Sequence, residues 1–133
     1  MIEAARQSPA TGKLAGVHVL VVEDEYFIAE ELRLLLAGQG AEVLGPVSDR
    51  AQASAILAET VVDCAVLDID LNSRAVFPLI EELKFRNVPW LYASGYSAAL
   101  VPDLLRGGAH IEKPIVADAL VAAVIDITRL RAK

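Results

Sequence analysis

Blocks of apolar residues alternate with polar breaks along the chain. Residues 17–22 (VHVLVV) are β-branched and almost wholly apolar, the pattern of a strand buried on both faces. Past the acidic residues Glu23 to Glu25, Ile28, Leu32, Leu35 and Leu36 recur at helical spacing, and Gly38 or Gly40 ends that helix. Glu42–Val47 fits a second strand, finishing around Gly45-Pro46. Asp49 then caps a helix through Ala58 whose alanines suit close packing. A third strand covers residues 63–67, followed by a helix marked by Val76, Ile80 and Leu83 that stops near Asn87, ahead of Pro89. Residues 90–93 form the fourth strand. Proline is tolerated in a first turn but not in a helix interior, so Pro102 makes the fourth helix short, beginning near Val101 after a long 95–100 loop. Ala109–Glu112 is a short fifth strand, and Val116, Leu120, Ala123, Val124 and Ile127 line one face of a final helix.

Strands alternating with helices in this way imply an α/β protein, a doubly wound five-stranded parallel sheet with helices on both faces. Residues 1–16, with Ser8-Pro9, Thr11-Gly12 and Gly16 and little periodicity, read as a polar leader ahead of a single domain over 17–132. No output domain is expected after the final helix.

The 133 residues suit one domain, and the 55% apolar content supplies its core. A net charge of −6 and a pI near 4.8 offer no basic stripe for a nucleic acid, so a protein or small-ion partner is expected. Cys64 is the only cysteine and sits in an apolar run, which points to a buried core residue and a reducing compartment. No apolar stretch reaches the roughly 18 to 20 residues that span a bilayer, and the leader lacks the apolar stretch of a signal peptide. A soluble, cytoplasmic protein with no membrane partner is expected.

The carboxyl ends of parallel strands share one edge, so Glu23, Asp24, Asp68, Ser94 and Lys113 should converge into an acidic pocket with one cation and one hydroxyl. Carboxylates forced together repel one another unless a cation neutralises them, and Mg²⁺ takes one or two carboxylates, waters and a phosphate oxygen. Asp24 and Asp68 are the best direct ligands, with Glu23 acting directly or through water. Asp68 also qualifies as a nucleophile, because a carboxylate can accept a phosphoryl group as an acyl phosphate. Phosphoryl transfer needs positioning and charge neutralisation, which Lys113, the Ser94 hydroxyl and backbone N–H groups of Asp70 and Gly95 could supply.

In this order and spacing, VHVLVVEDE, DCAVLDIDL, WLYASGYS and GAHIEKP resemble the receiver domain of two-component response regulators, over residues 17 to about 131. The resemblance implies a flavodoxin-like, CheY-like fold with strand order 2-1-3-4-5. It implies that Asp68 is the phosphoacceptor, charged by a sensor histidine kinase or a histidine phosphotransfer protein. Glu23, Asp24, Asp68 and the backbone carbonyl of Asp70 would hold Mg²⁺, Ser94, Lys113 and the Gly95 backbone would contact the phosphoryl group, and Lys113-Pro114 would be cis. Residues 89–96 (PWLYASGY) are similar to the Pro-Phe-x-Phe-Ala-Thr-Gly-Tyr signature of the FAT GUY subgroup of single-domain receivers.

The sequence also departs from the family. Many receivers carry Tyr or Phe three residues before the lysine as a rotameric switch, and here that position is His110. Tyr96 is the aromatic candidate to take over the switching role, and His110 is a second switch candidate. The Asp70 carboxylate, two residues past the acceptor, could orient hydrolytic water or repel a donor. Output is expected through protein binding to an unknown downstream partner at the face of the fourth helix, fifth strand and fifth helix, near Leu104, Leu105, Arg106 and Ile115. The same face could support a homodimer.

Two competing readings are a degenerate receiver that binds partners without being phosphorylated, and a haloacid-dehalogenase-like phosphatase built on Asp68-Ile69-Asp70. The second is disfavoured because its DxD usually opens the domain and a further acidic motif follows the lysine. The expected protein is therefore a phosphoacceptor and not a turnover enzyme.

Overall fold

The computed structural model describes residues 12–68, 73–94 and 109–132. Its elements are β1 (His18–Val22), α1 (Tyr26–Gly38), β2 (Glu42–Val47), α2 (Arg50–Glu59), β3 (Cys64–Asp68), α3 (Ser73–Phe85), β4 (Trp90–Ser94), β5 (Ala109–Glu112) and α4 (Ala117–Ala132). The strands pair in parallel as one sheet in the order β2-β1-β3-β4-β5, the doubly wound arrangement implied by the resemblance. The 95–100 loop and the helix expected from Val101 lie outside the described residues. So do Leu104, Leu105 and Arg106, so the final helix carries the label α4 here.

The apolar runs become strands because both of their faces are covered. Leu20, Ala65, Leu67, Trp90 and Tyr92 pack on one face with Ala53 and Leu57 of α2 and Leu79, Ile80 and Leu83 of α3. Val19, Val21, Cys64, Val66, Leu91 and Ile111 pack on the other with Leu32 and Leu36 of α1 and Leu120, Val121, Val124 and Ile127 of α4. Alternation along each strand therefore sends consecutive apolar residues to opposite cores.

Helix ends follow their capping chemistry. The Glu25 carboxylate accepts the Ile28 N–H at 3.2 Å to open α1, and Asp49 accepts the Gln52 N–H at 2.9 Å to open α2. Gly40, with φ +94°, closes α1 as Ala41 N–H donates back to the Leu36 carbonyl. Asn87 plays the corresponding part after α3, at φ 60°. Pro78 sits inside α3, where it has no N–H to donate.

The strand boundaries shift by one residue from the sequence reading, and the shift matters. β3 runs Cys64–Asp68 and β4 runs Trp90–Ser94, so the candidate acceptor and the candidate hydroxyl each close a strand.

The packed structure also begins earlier than the leader expected over residues 1–16. Leu14 is fully buried within the α1/α4 core, and its N–H donates to the Gln39 carbonyl at 2.8 Å. A single leucine between glycines carries no periodic signal, yet burying it stabilises the fold by about 2 kcal/mol. Residues 12–16 therefore belong to the domain, as a strap that leads directly into β1.

Candidate phosphoryl site

Register brings the candidate residues to the same edge of the sheet, within two residues of one level. Val22 stands opposite Leu67, Asp68 opposite Ala93, and Ser94 opposite Glu112. Glu23 and Asp24 follow Val22 directly and Lys113 follows Glu112, so all five positions line the carboxyl edge of four neighbouring strands. β1 and β3 are adjacent although a whole β-α unit separates them in sequence, which is what sets the acid pair beside Asp68. In an open α/β sheet this edge, where the strand order reverses, is where ligands bind.

Two different carboxylates make up the acid pair. Glu23 is buried, the one charged residue among the described core positions, and its Oε2 accepts the Glu25 N–H at 3.1 Å. Its own N–H donates to the Val47 carbonyl at 2.9 Å, fastening the β1 terminus to β2. Asp24 is exposed at the mouth of the edge. A buried carboxylate is costly unless its charge is met by hydrogen bonds or a cation, so a buried glutamate beside an exposed aspartate suits a hard divalent ion. Among the described residues no group of three His, Cys, Asp or Glu side chains forms a metal cluster, and the Asp68 side chain is not one of those described.

Lys113 is half-buried, and the peptide joining it to Pro114 is cis. A second cis peptide joins Gly45 to Pro46, which the sequence reading did not anticipate. Asp70, Gly95 and Tyr96 lie outside the described residues, so the backbone donors, the metal-binding carbonyl and the aromatic switch candidate expected there have no described geometry.

His110 is half-buried on β5, directly opposite Tyr92 of β4, and the two rings lie 5.1 Å apart at 45°. Tyr92 is buried among Leu67, Leu79 and Trp90. The histidine at the position where many receivers carry a switching aromatic is thus packed against an aromatic ring one strand over. Two further features went unread in the sequence. Tyr26 and Phe27 open α1 just past the Glu25 cap, and both are exposed, with ring centroids 5.4 Å apart in an edge-to-face pair. Neighbouring helical positions do not share a face, and this first turn projects past the core.

The Glu82 carboxyl is held below the usual range by a hydrogen bond from the Ser54 hydroxyl, with Arg86 adding to the effect, and this contact ties α2 to α3. No described helix is long and apolar enough to cross a membrane.

Known proteins corroborate the fold. A family model for the response regulator receiver domain matches residues 19–125. No protein in the curated set matches significantly. Among solved structures, the chain is similar to the BeF3-activated conformation of SdrG from Pseudomonas melonis Fr1 at 29% identity, covering 84% of this chain and 95% of that one, with a TM-score of 0.73. A solution structure of SdrG from Sphingomonas melonis Fr1 is also 29% identical, covering 88% and 98%, with a TM-score of 0.71. A CheY-like receiver domain protein from Methanospirillum hungatei JF-1 shares the fold at 21% identity and a TM-score of 0.74, covering 87% and 96%. With the family model spanning most of its length, a parallel sheet in 2-1-3-4-5 order and an acid pair set beside a strand-ending aspartate, the chain belongs to the response regulator receiver family.

Proposed function

We propose that this receiver takes a phosphoryl group onto Asp68 from a sensor histidine kinase or a histidine phosphotransfer protein and signals by phosphorylation-dependent protein binding. The observation that carries this reading is that Glu23, Asp68, Ser94 and Lys113 stand at the same carboxyl edge of the sheet, within two residues of one register level. Receivers as a family are signalling proteins that interact with such donors and with downstream targets, rather than turnover enzymes.

In this reading an Asp68 carboxylate oxygen attacks phosphorus, the P–N bond to the donor imidazole breaks, and the imidazole leaves with the nitrogen electron pair and takes up a proton. Glu23, Asp24, Asp68 and the Asp70 backbone carbonyl would hold Mg²⁺. When bound, the ion offsets the charge of the carboxylates and of the incoming phosphoryl oxygens. Lys113 brings a second positive charge from β5, the Ser94 hydroxyl a donor from β4, and the Gly95 backbone another. Glu23, held by its hydrogen bond from Glu25, orients the acidic side of the pocket.

We further place the chain in the FAT GUY subgroup on the strength of residues 89–96, with Trp90, Tyr92 and Ser94 replacing the usual Phe, Phe and Thr. Tyr96 carries the aromatic switching role in this proposal, because His110 is not an aromatic switch residue of the usual kind and packs at a tilt against Tyr92. Unchanged phosphorylation-dependent chemical shifts in Tyr96→Ala would remove that role. The downstream surface is the face formed by the helix expected from Val101, β5 and the final helix, including Ile115.

Beryllofluoride with Mg²⁺ tests the reading. Chemical shift changes centred on Glu23, Asp68, Ser94 and Lys113, together with stoichiometric labelling by acetyl phosphate that disappears in Asp68→Asn, are the expected result. No response to beryllofluoride would favour a receiver that works without phosphorylation, and continued turnover of a phosphomonoester would favour a phosphatase.

A further inference from the structure

The strap over residues 12–16 lies ahead of the segment the family model matches, which begins at residue 19, and the phosphoryl edge makes no direct use of it. Its anchor is Leu14, fully buried in the same cluster as Leu32 and Leu36 of α1 and Leu120, Val121 and Val124 of α4. Gly12 is pressed against the C-cap of α1. A Cβ on Gly12 would fall 2.2 Å from the Gln39 carbonyl oxygen, and its φ of +104° is one that side chains disfavour. Beside the strap lies a cleft of about 180 Å³, lined by Lys13 and Gln39 and by Asp118, Val121, Ala122 and Ile125 of α4. The strap is therefore wedged between the end of α1 and the beginning of α4.

Both helices start at the candidate site. α1 begins two residues after Asp24 and α4 begins four residues after Lys113. Helices are stiff and packed cores do not deform continuously, so a wedge between them bears on the loops that precede them.

We propose that the strap is a positioning element for the phosphoryl site. Leu14 sets the spacing of α1 and α4 and thereby the place of Lys113 relative to Glu23 and Asp24. The inference rests on the phosphoacceptor reading above and adds to it a determinant outside the common receiver segment. The open cleft beside the strap gives α4 room to settle when Leu14 is truncated.

The test compares two core truncations of equal size on opposite faces of the sheet, Leu14→Ala and Leu57→Ala. Leu57 is buried in the other cluster. Each variant is assayed well below its melting temperature for the rate of labelling by acetyl phosphate per folded molecule, the Mg²⁺ midpoint of that labelling, and the NMR shifts of the Lys113 side chain. Positioning predicts a change of at least about fivefold in rate or Mg²⁺ midpoint for Leu14→Ala. It also predicts displaced Lys113 signals, no comparable change for Leu57→Ala, and recovery in Leu14→Met. Should Leu14→Ala not fold, Gly12→Ala moves the strap with the leucine retained and decides the same question. Labelling and Lys113 signals equal in the two faces' variants would overturn the inference while leaving the receiver reading intact. A wild-type protein that acetyl phosphate does not label would overturn both.

Discussion

The two edges of the sheet hold similar residue types and arrange them in opposite ways. At the amino edge, Asp63 Oδ2 accepts both the His18 backbone N–H at 2.8 Å and a hydrogen bond with His18 Nδ1 at 2.9 Å, and His18 Nε2 stands 4.0 Å from Glu42. Each acid there faces a group that can balance it, and the cluster fastens β1 between the beginnings of β2 and β3. At the carboxyl edge the acids are placed beside one another, with Glu23 buried and Asp24 exposed next to the end of β3, and the lysine arrives from the far strand. Charges arranged for stability are paired locally, whereas gathered like charges make sense when a cation and an anionic group are to be bound.

The largest effect that separates the edges is expected from Asp68→Asn. Radiolabel or mass-shift measurements with acetyl phosphate should show labelling lost altogether, while the folded protein keeps or slightly gains melting temperature as a carboxylate is removed from an acidic edge. If labelling persisted, the acceptor would be another residue.

Leu14→Ala comes next in size for stability. Truncating a fully buried leucine costs about 2 to 5 kcal/mol, which urea titration should register as a lower midpoint with little change in slope. A midpoint like that of wild type would mean that the strap is not part of the folding unit.

Asp63→Ala attacks the amino edge alone. Loss of its hydrogen bonds to His18 should cost about 1 to 3 kcal/mol and leave acetyl phosphate labelling per folded molecule as in wild type. A fall in that labelling would show that the two edges are not separable.

The smallest effect concerns Glu82, remote from both edges. Its folded-state ionisation lies below the reference value of 4.5 because of the Ser54 hydroxyl and then Arg86. Its contribution to stability is therefore present above the unfolded value and lost as the pH falls through the folded one. Contacts at the surface limit it to about 0.5 kcal/mol. Ser54→Ala should reduce the acid-side slope of stability against pH, and an unchanged slope would remove Glu82 from the account.

Much of this architecture was legible in local pattern. Val19, Leu20 and Val21 announce a strand covered on both faces, and Ile28, Leu32 and Leu36 announce a helix with one buried stripe. Asp49 reads as a cap because its side chain competes for a backbone N–H, and it does so in the structure. The positions of Glu23, Asp24, Asp68, Ser94 and Lys113 at or just past strand ends were also readable. What escaped were features without periodicity. Leu14 stands alone between glycines, and Tyr26 and Phe27 look like core aromatics until α1 is seen to project them outward. His110 could be read as a departure from the family, but its contact with Tyr92 depends on the pairing of β4 with β5, two strands well separated in the sequence.

Periodicity, capping residues and strand-end chemistry, all of them local, determined the order of elements and the identity of the five candidate residues. Tertiary structure decided their alignment: Val22 opposite Leu67, Asp68 opposite Ala93, Ser94 opposite Glu112. It also decided that Glu23 is buried while Asp24 is exposed, and that a leucine ahead of the first strand closes the α1/α4 core. Register and burial arise from pairing and packing between segments distant in the chain, and no window of neighbouring residues encodes that meeting.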